Sequence, residues 1–594
     1  MKDARLDPVL LEVLWNRLIS VVEEQARALM RTSFTSVVRE SGDLSAGVFD
    51  RRGRMVAQAV TGTPGHINAM ATSVRHFLQE IPADTLEPED VMVTNHPQQT
   101  AGHLNDFTVI TPIFRGRGRD SDRDSDRDSD RDSELVAFFG NTCHALDVGG
   151  RGLGADAREV YEEGLFVPVT LLFRRGEPNE ELLRIIRANV RAPFEVVGDL
   201  HAQASSNDVG GARLLEMIEE FDLGDIEALS EEICARSERA MREAITALPD
   251  GLYENEEFTD GFDEPIRLAV AVRVEGDEMF LDYDGSSPQS ERGINVVLNY
   301  TAAYTTFGVK CAISPEVPNN AGSFRPIHVT APEGCILNAR HPAPVGARHI
   351  IGHFLPGLIH GALAGAIPDK VLAEGSDNLW NTQITGTRED GEPFTYVFFS
   401  GGGMGASSRK DGLSATAFPS GIRGVPAEVI ESISPVVMRK RELRPDSEGP
   451  GCHRGGFGQE MEIGVRGDSY WTLSAMYDRT KYPARGLRGG SPGAVGTVRN
   501  SSGEDLHPKR QQRMGADERV ILSLPGGGGY GDPLEREPDL VARDVEDGLV
   551  SVERAREIYG VVLTEISRHG EYDVDAEATS RLRARATSHP RKDP

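Results

Sequence analysis

The chain has 594 residues, too many for a single hydrophobic core, so several domains are expected. Its composition is globular, 39% hydrophobic and 26% charged, with a formal net charge of −29 that argues against nucleic acid and anionic membrane as partners. The five cysteines are scattered and form no C-x-x-C pair, and the N-terminus has no apolar signal region, so a reducing, cytoplasmic setting is expected.

Asp7 and Pro8 have the character of an N-cap and first helical residue, and apolar residues at helical spacing then predict a long helix to about Met30. Residues 41–58 read as strand, turn, strand, with Glu40 just before the first strand. Residues 61–66, ending in His66, read as a loop, and 69–81 as a helix. The densest cluster of chemistry-bearing side chains follows at Asn95-His96-Pro97-Gln98-Gln99-Thr100-Ala101-Gly102-His103-Leu104-Asn105-Asp106, and it opens a strand-like run over 108–114. A second cluster, Asn141-Thr142-Cys143-His144-Ala145-Leu146-Asp147-Val148-Gly149-Gly150, closes the apolar run 135–139.

Between the clusters lies a low-complexity insert built on Asp-Ser-Asp-Arg, within residues 117–134, which cannot bury a core and is expected to be a disordered hairpin-tip expansion. Without it the two strands form a hairpin, with His103 and Asp106 at one strand's entry and His144 at the other's exit. Those ends are neighbours in an antiparallel pair. Two imidazoles with one or two carboxylates, Asp147 lying just behind, make a candidate site for Mn, Zn or Fe that leaves room for water or substrate. Asn95, His96 or Asn105 could support the ligands from behind. Cys143 and His144 are adjacent on a strand, point to opposite faces, and so cannot form a thiol–imidazole dyad there.

Residues 182–247 are largely helical, and Leu248-Pro249-Asp250-Gly251 marks a first boundary. A hairpin is expected around Glu275-Gly276-Asp277 and a helix over 295–313. The longest apolar run, 350–367, contains His353, Pro356 and His360, so it reads as a buried helix rather than a membrane span. From about 390, Gly-rich turns separate short strands, and a helical tail over 540–559 precedes a polar, frayed end. The tetraglycine run after Pro525 reads as a tight turn, since no Lys-Ser or Lys-Thr follows it and no Walker motif occurs anywhere. The fold expected is α+β and multidomain: a mixed region over 1–250 with the candidate metal site, a central α+β domain over 251–440, a Gly-rich β domain over 441–545, and a helical tail over 546–594.

Taken together these motifs resemble the hydantoinase B / 5-oxoprolinase family, which includes B subunits of ATP-dependent N-methylhydantoinases and alpha subunits of acetone carboxylases. The family pattern N-D-P-Y-x-G-G-x-H-L-P-D is answered by residues 95–106, and H-x-x-D-V/I-G-G by residues 144–150. Residues 198–203, 320–327, 342–345 and 525–533 are also similar, so the resemblance spans nearly the whole chain. It implies a divalent metal held by Glu40, His103, Asp106 and His144, with His66 and Asp147 moving protons. It also implies an ATP-using A-type partner in a hetero-oligomer such as A2B2, and a cyclic amide as the small-molecule substrate. The implied reaction is ring opening of a hydantoin or 5-oxoproline after phosphorylation by the partner. Alternatives are an alpha-type subunit of a ketone carboxylase and a non-catalytic scaffold for the ATPase. Two departures lie beside the metal motif: His96 replaces the family's Asp, and Gln98-Gln99-Thr100-Ala101-Gly102 its Tyr-x-Gly-Gly.

Overall fold

The computed structural model describes residues 7–60, 63–116, 133–566 and 570–588. The Asp-Ser-Asp-Arg repeat, the first six residues and the last six therefore lie outside the described residues. Helices and strands are mixed throughout, and the chain divides into two compact units. Unit 1 comprises Met1–Tyr253, Val270–Leu355 and Ser420–Arg423, and unit 2 comprises Glu254–Ala269, Pro356–Pro419 and Gly424–Pro594.

In unit 1 the helices relevant to the site are α1 (Pro8–Thr32), α2 (Ser36–Arg39), α3 (Pro64–Glu80), α4 (Val160–Glu163), α5 (Glu180–Asn189), α6 (Pro193–Glu220), α7 (Glu227–Thr246) and α8 (Leu298–Ile313). The strands β1 (Leu44–Phe49), β2 (Met55–Gln58), β3 (Val91–Thr94), β4 (Asp106–Arg115), β5 (Glu134–His144), β6 (Thr170–Arg174) and β7 (Glu177–Pro178) form one antiparallel sheet in the order β2-β1-β5-β4-β3-β6-β7. Both of its faces are covered, so the central strands are buried on both sides, β4 from Asp106 to Ile113 and β5 from Val136 to His144. Phe139 and Val48 enter the core shared with α1, α6 and α7, while Phe138 and Phe49 enter the opposite core with Met70, Val74 and Phe77 of α3. Asp7 caps α1 as expected, its Oδ1 accepting the Val9 N–H at 3.2 Å.

A buried amide network ties the outer helices to the sheet. Asn141 of β5 donates to Asn207 Oδ1 at 2.8 Å, Gln25 of α1 donates to the same oxygen at 2.7 Å, and Gln203 of α6 donates to Asn141 Oδ1 at 2.9 Å. Gln203 also donates to the Phe107 carbonyl at 2.9 Å, which pins β4 one residue past Asp106. The motif around residues 198–203 thus positions a strand. Asn320 does local work too, as the N-cap of a complete capping box on Ala321–Phe324. The expected hairpin forms, Glu275 pairing with Glu278 across Gly276 at φ +62°.

In unit 2 two antiparallel four-stranded sheets share one core. Trp380–Thr387 lies between Pro393–Ser400 and Trp471–Met476, and Gln459–Val465 lies between Val436–Leu443 and Val520–Ser523. Trp380, Tyr396 and Leu473 from the first sheet meet Met461, Ile463 and Leu522 from the second.

The tetraglycine run departs from expectation. It is extended rather than turned, and its amides are all spent on backbone carbonyls: Gly526 to Ala494, Gly527 to Gly456, Gly528 to Glu374 and Gly529 to Ser491, at 2.8–3.0 Å. With no N–H left over it cannot cradle a phosphate. Neighbouring main chains press so close that a Cβ at Gly527 would lie 2.2 Å from the Met404 carbonyl oxygen.

Other expectations are also corrected. The apolar run 350–367 is two helices, His349–Gly352 and Leu355–Leu363, because Pro356 cannot continue a helix from the preceding turn. Within the tail over 546–594 the described residues hold a helix, Ala576–Ser588, so helix continues beyond the 540–559 segment into the part expected to fray. Among the described residues no helix is long and apolar enough to cross a membrane, and all five cysteines are free.

Candidate metal centre

The hairpin expected from the sequence is formed by β4 and β5, and Asp106 stands directly opposite His144 in the ladder. Cross-strand partners share a face, so the carboxylate and the imidazole meet. His103 lies three residues before Asp106, at the end of a loop that Asn95 staples shut. Asn95 donates to the carbonyls of Leu104 at 2.7 Å and Leu165 at 2.9 Å and accepts the Val167 N–H at 2.7 Å. Asn105 joins this loop to the residue after His144, its carbonyl accepting the Ala145 N–H at 2.7 Å. Cys143, next to His144, points into the opposite core, as strand alternation requires.

His103, Asp106 and His144 are all buried, and one ligand atom from each lies within 4.8 Å of the others. Asp106 divides its oxygens between two sets of partners. Oδ1 lies 2.8 Å from His103 Nε2 and 3.1 Å from His144 Nδ1. Oδ2 faces His66 Nε2 at 2.9 Å and accepts from the guanidinium of Arg348. Arg348 also donates to the Ala101 carbonyl and lies over the Tyr300 ring, 4.3 Å from its centroid. A Cβ at Gly102, which has φ +96°, would lie 2.6 Å from Arg348 Cδ, so only glycine admits the guanidinium here.

His66 is not in a loop. Helix α3 begins at Pro64, whose fixed φ suits a first helical position, and this places His66 in its first turn. Gly65 lets that turn approach α8, since a Cβ there would lie 2.4 Å from the Tyr300 ring. The other nitrogen of His66 faces Asp43 Oδ1 at 3.6 Å, and Asp43 Oδ2 lies 4.0 Å from His144 Nδ1.

Two residues suggested by the sequence are not brought to this cluster. Glu40 ends α2, where its carboxylate pairs with Arg39 at 2.9 Å and is a third exposed. Asp43, one turn further along, takes the position beside the imidazoles. Asp147 is buried but faces the other way, paired with Arg191 Nη1 at 2.7 Å and with the Arg191 amide. His96 packs edge-on against Phe166, with ring centroids 5.0 Å apart. Sequence reasoning missed Asp43, Arg348 and Tyr300. Asp43 could have been found from its place one residue before β1, the strand that pairs with β5 at Cys143. Nothing local marked Arg348, which lies 242 residues from its carboxylate partner.

Burial pulls the His103 imidazole down to about 4, helped by Arg348 and opposed by Asp106, so it is neutral near pH 7. Burial would also lower His66, but Asp106 and Asp43 outweigh it and raise its pKa. For Asp106 burial acts upward, yet His103, His66 and Arg348 together hold it well below the usual carboxylate range. A neutral imidazole and an ionised carboxylate are the forms that bind metal. The donors fit a divalent ion of the Mn, Zn or Fe type: His103 offers Nε2, because Nδ1 is committed to the Gly346 carbonyl at 2.8 Å, and Asp106 offers Oδ1.

Known proteins give a consistent picture. The family model described as Hydantoinase B/oxoprolinase matches residues 7–533. A chain of Pseudomonas sp. (strain NS671), provisionally named as the B subunit of a D-/L-hydantoinase, is 32% identical, the alignment covering 98% of each chain. The beta subunit of the Pseudomonas jessenii caprolactamase is 28% identical over 98% of this chain and 99% of its own. The crystal structure of ATP-dependent caprolactamase from that organism superposes with a TM-score of 0.86 at 27% identity, covering 98% of this chain and 100% of that one. A nucleotide-free acetone carboxylase structure superposes at 0.85 over 99% of this chain and 84% of that one; at 20% identity it shows a shared fold.

Proposed function

Because the chain belongs to the hydantoinase B/oxoprolinase family, we propose that it is the metal-dependent B subunit of an ATP-driven cyclic amide hydrolase. The observation that carries this reading is the convergence of His103, Asp106 and His144 within 4.8 Å in a buried cluster. The relatives' names supply the reaction class: a hydantoinase B subunit and a caprolactamase beta subunit. In this reading an A-type partner uses ATP to phosphorylate the carbonyl oxygen of the ring amide, in a hetero-oligomer of the A2B2 kind.

This chain then completes the reaction. Water adds to the phosphorylated carbon, the ring C–N bond breaks, and a second water releases inorganic phosphate. One ring amide, one ATP and two waters become ADP, phosphate and one ring-opened acid, an amino acid from a lactam or an N-carbamoyl amino acid from a hydantoin. His103 Nε2, Asp106 Oδ1 and His144 would hold the ion, with Asp43 nearby. Bound there, a divalent ion lowers the pKa of water and polarises a carbonyl-type carbon. Arg348 and His66 hold the second oxygen of Asp106, which leaves the first directed at the imidazoles. We assign proton transfer to the departing ring nitrogen to His66 through Nδ1, which lies 3.6 Å from Asp43 and makes no hydrogen bond among the described residues, while Nε2 stays on Asp106 Oδ2. The Asp147 carboxylate is engaged by Arg191, so it has no part in that step.

The test is ADP release by the chain reconstituted with its A-type partner and offered hydantoin, 5-oxoproline, caprolactam or a small ketone, with and without bicarbonate. ADP release matched by ring-opened product without bicarbonate is the expected result. Dependence on both ketone and bicarbonate would transfer the chain to the carboxylases. Full turnover in protein stripped of metal would sink the metal reading.

A further inference from the structure

Behind His103 lies a buried acid that the proposed reaction does not use. Glu163 closes α4 and is 5% exposed. Its Oε1 accepts the backbone N–H of Gly346 at 2.6 Å, and the carbonyl of that same residue lies 2.8 Å from His103 Nδ1. A carbonyl can only accept, so Nδ1 carries the proton and Nε2 keeps the lone pair that faces Asp106. Two glycines make room for the carboxyl: a Cβ would lie 3.1 Å from Oε1 at Gly346 and 3.2 Å from it at Gly293.

Helix α4 is in turn clamped to the loop that follows His144. The Leu165 amide donates to the Val148 carbonyl at 2.7 Å, and the Arg151 amide to the Glu162 carbonyl at 2.9 Å. The turn that Glu163 holds also leads, two residues on, to Arg348, the partner of Asp106. One carboxyl therefore touches the turn that serves His103 and Asp106 from a helix anchored beside His144. Its second oxygen, Oε2, is buried without a hydrogen-bond partner, an arrangement that stability alone disfavours. Burial pushes this acid up to about 8, so it is uncharged at neutral pH and an amide of the same shape can replace it.

We infer that Glu163 is a positioning residue of the metal centre: by holding the Gly346 N–H it fixes the backbone on both sides of that Cα, so that the Gly346 carbonyl accepts the hydrogen bond from His103 Nδ1–H and Nε2 is left for the ion. The inference rests on the metal reading proposed above. Metal affinity of the full chain tests it, with Mn2+ as probe, the free ion read by electron paramagnetic resonance and Zn2+ measured by competition. Three variants are compared. Glu163→Gln keeps an acceptor at Gly346, Glu163→Asp keeps a buried acid one methylene short of it, and Glu163→Ala removes both.

The expected result is wild-type affinity in Glu163→Gln and a loss of about tenfold or more in the Asp and Ala variants, the scale of second-sphere changes at metal sites. The ring N–H of His103, seen in 15N-histidine spectra, should persist in wild type and Glu163→Gln and be lost from Nδ1 in Glu163→Asp. If Glu163→Ala does not fold, the Asp variant decides. Affinity within twofold of wild type in Glu163→Asp, or a loss in Glu163→Gln as large as in Glu163→Asp, would overturn the inference and leave the metal reading standing. Wild-type protein that is folded yet binds neither ion would overturn both.

Discussion

Replacing Arg348 with Met keeps the buried stem and removes the charge. The side chain is 4% exposed, pairs with Asp106 Oδ2, donates to the Ala101 carbonyl and covers the Tyr300 ring. Of the four groups around Asp106 it is the one guanidinium, the other three being imidazoles. Removing one partner of a buried pair costs about 3–5 kcal/mol. His66 Nε2 remains on the same oxygen at 2.9 Å, so the lower end, about 3 kcal/mol, is expected. Arg348→Lys keeps the charge, loses the planar fork, and should cost about 1.5 kcal/mol. Urea unfolding of metal-free protein measures both. In a Trp380→Phe/Trp471→Phe background, Trp15 alone reports unit 1. Arg348 also helps to hold His103 down at about 4, so its removal should move the acid limit of Mn2+ binding to higher pH. A cost below about 0.5 kcal/mol, the scale of a neutral surface change, would refute the assignment of Arg348 as the fixed counter-charge of Asp106.

Four further outcomes are expected. His103→Ala and His144→Ala should purify folded but without stoichiometric metal by elemental analysis, and metal at wild-type content in either would remove that residue from the ligand set. Asp43→Asn should weaken Mn2+ binding while Glu40→Gln leaves it unchanged, since Asp43 faces His66 and His144 and Glu40 pairs with Arg39; the reverse order would restore Glu40 as the ligand. The Glu163 acid is raised from 4.5 to about 8, so it is protonated when folded and ionised when unfolded between those values. Its contribution is complete below pH 4.5 and lost as pH rises toward 8, so metal-free Glu163→Gln should show a flatter decline of unit 1 stability across that window. Gly527→Ala should destabilise unit 2 by about 3 kcal/mol or more, because the new Cβ meets the Met404 backbone and nothing there can swing away. Gly503→Ala, with φ +86° and open space around it, should cost only about 1 kcal/mol; equal midpoints for the two variants would rule out backbone crowding as the cause.

Local pattern carried a good deal of this protein. The N-cap at Asp7, the helical spacing after it and the Gly276-Asp277 turn each formed as their side chains dictate, because each depends on residues within a turn or two. The core of the candidate site was also legible, since a hairpin is the one long-range pairing that chain order nearly specifies. Once the insert is set aside, Asp106 and His144 have to meet at the strand ends. Helix starts and extended glycine runs were harder. Pro64 starts α3 before its apolar spacing becomes visible, and the run after Pro525 looks like a turn until its neighbours are known.

Residue type and order therefore determined by themselves that this chain brings two imidazoles and a carboxylate to one end of a buried hairpin. Only the tertiary structure decided which other groups surround them: Asp43 in place of Glu40, Asp147 turned to Arg191, Arg348 on the second oxygen of Asp106, and Glu163 behind Gly346. Strand pairing is set by local alternation and short closure, so it leaves a trace in sequence. A buried charge, by contrast, can find its partner anywhere the packing brings one, and Arg348 finds Asp106 across 242 residues with no periodicity to announce it.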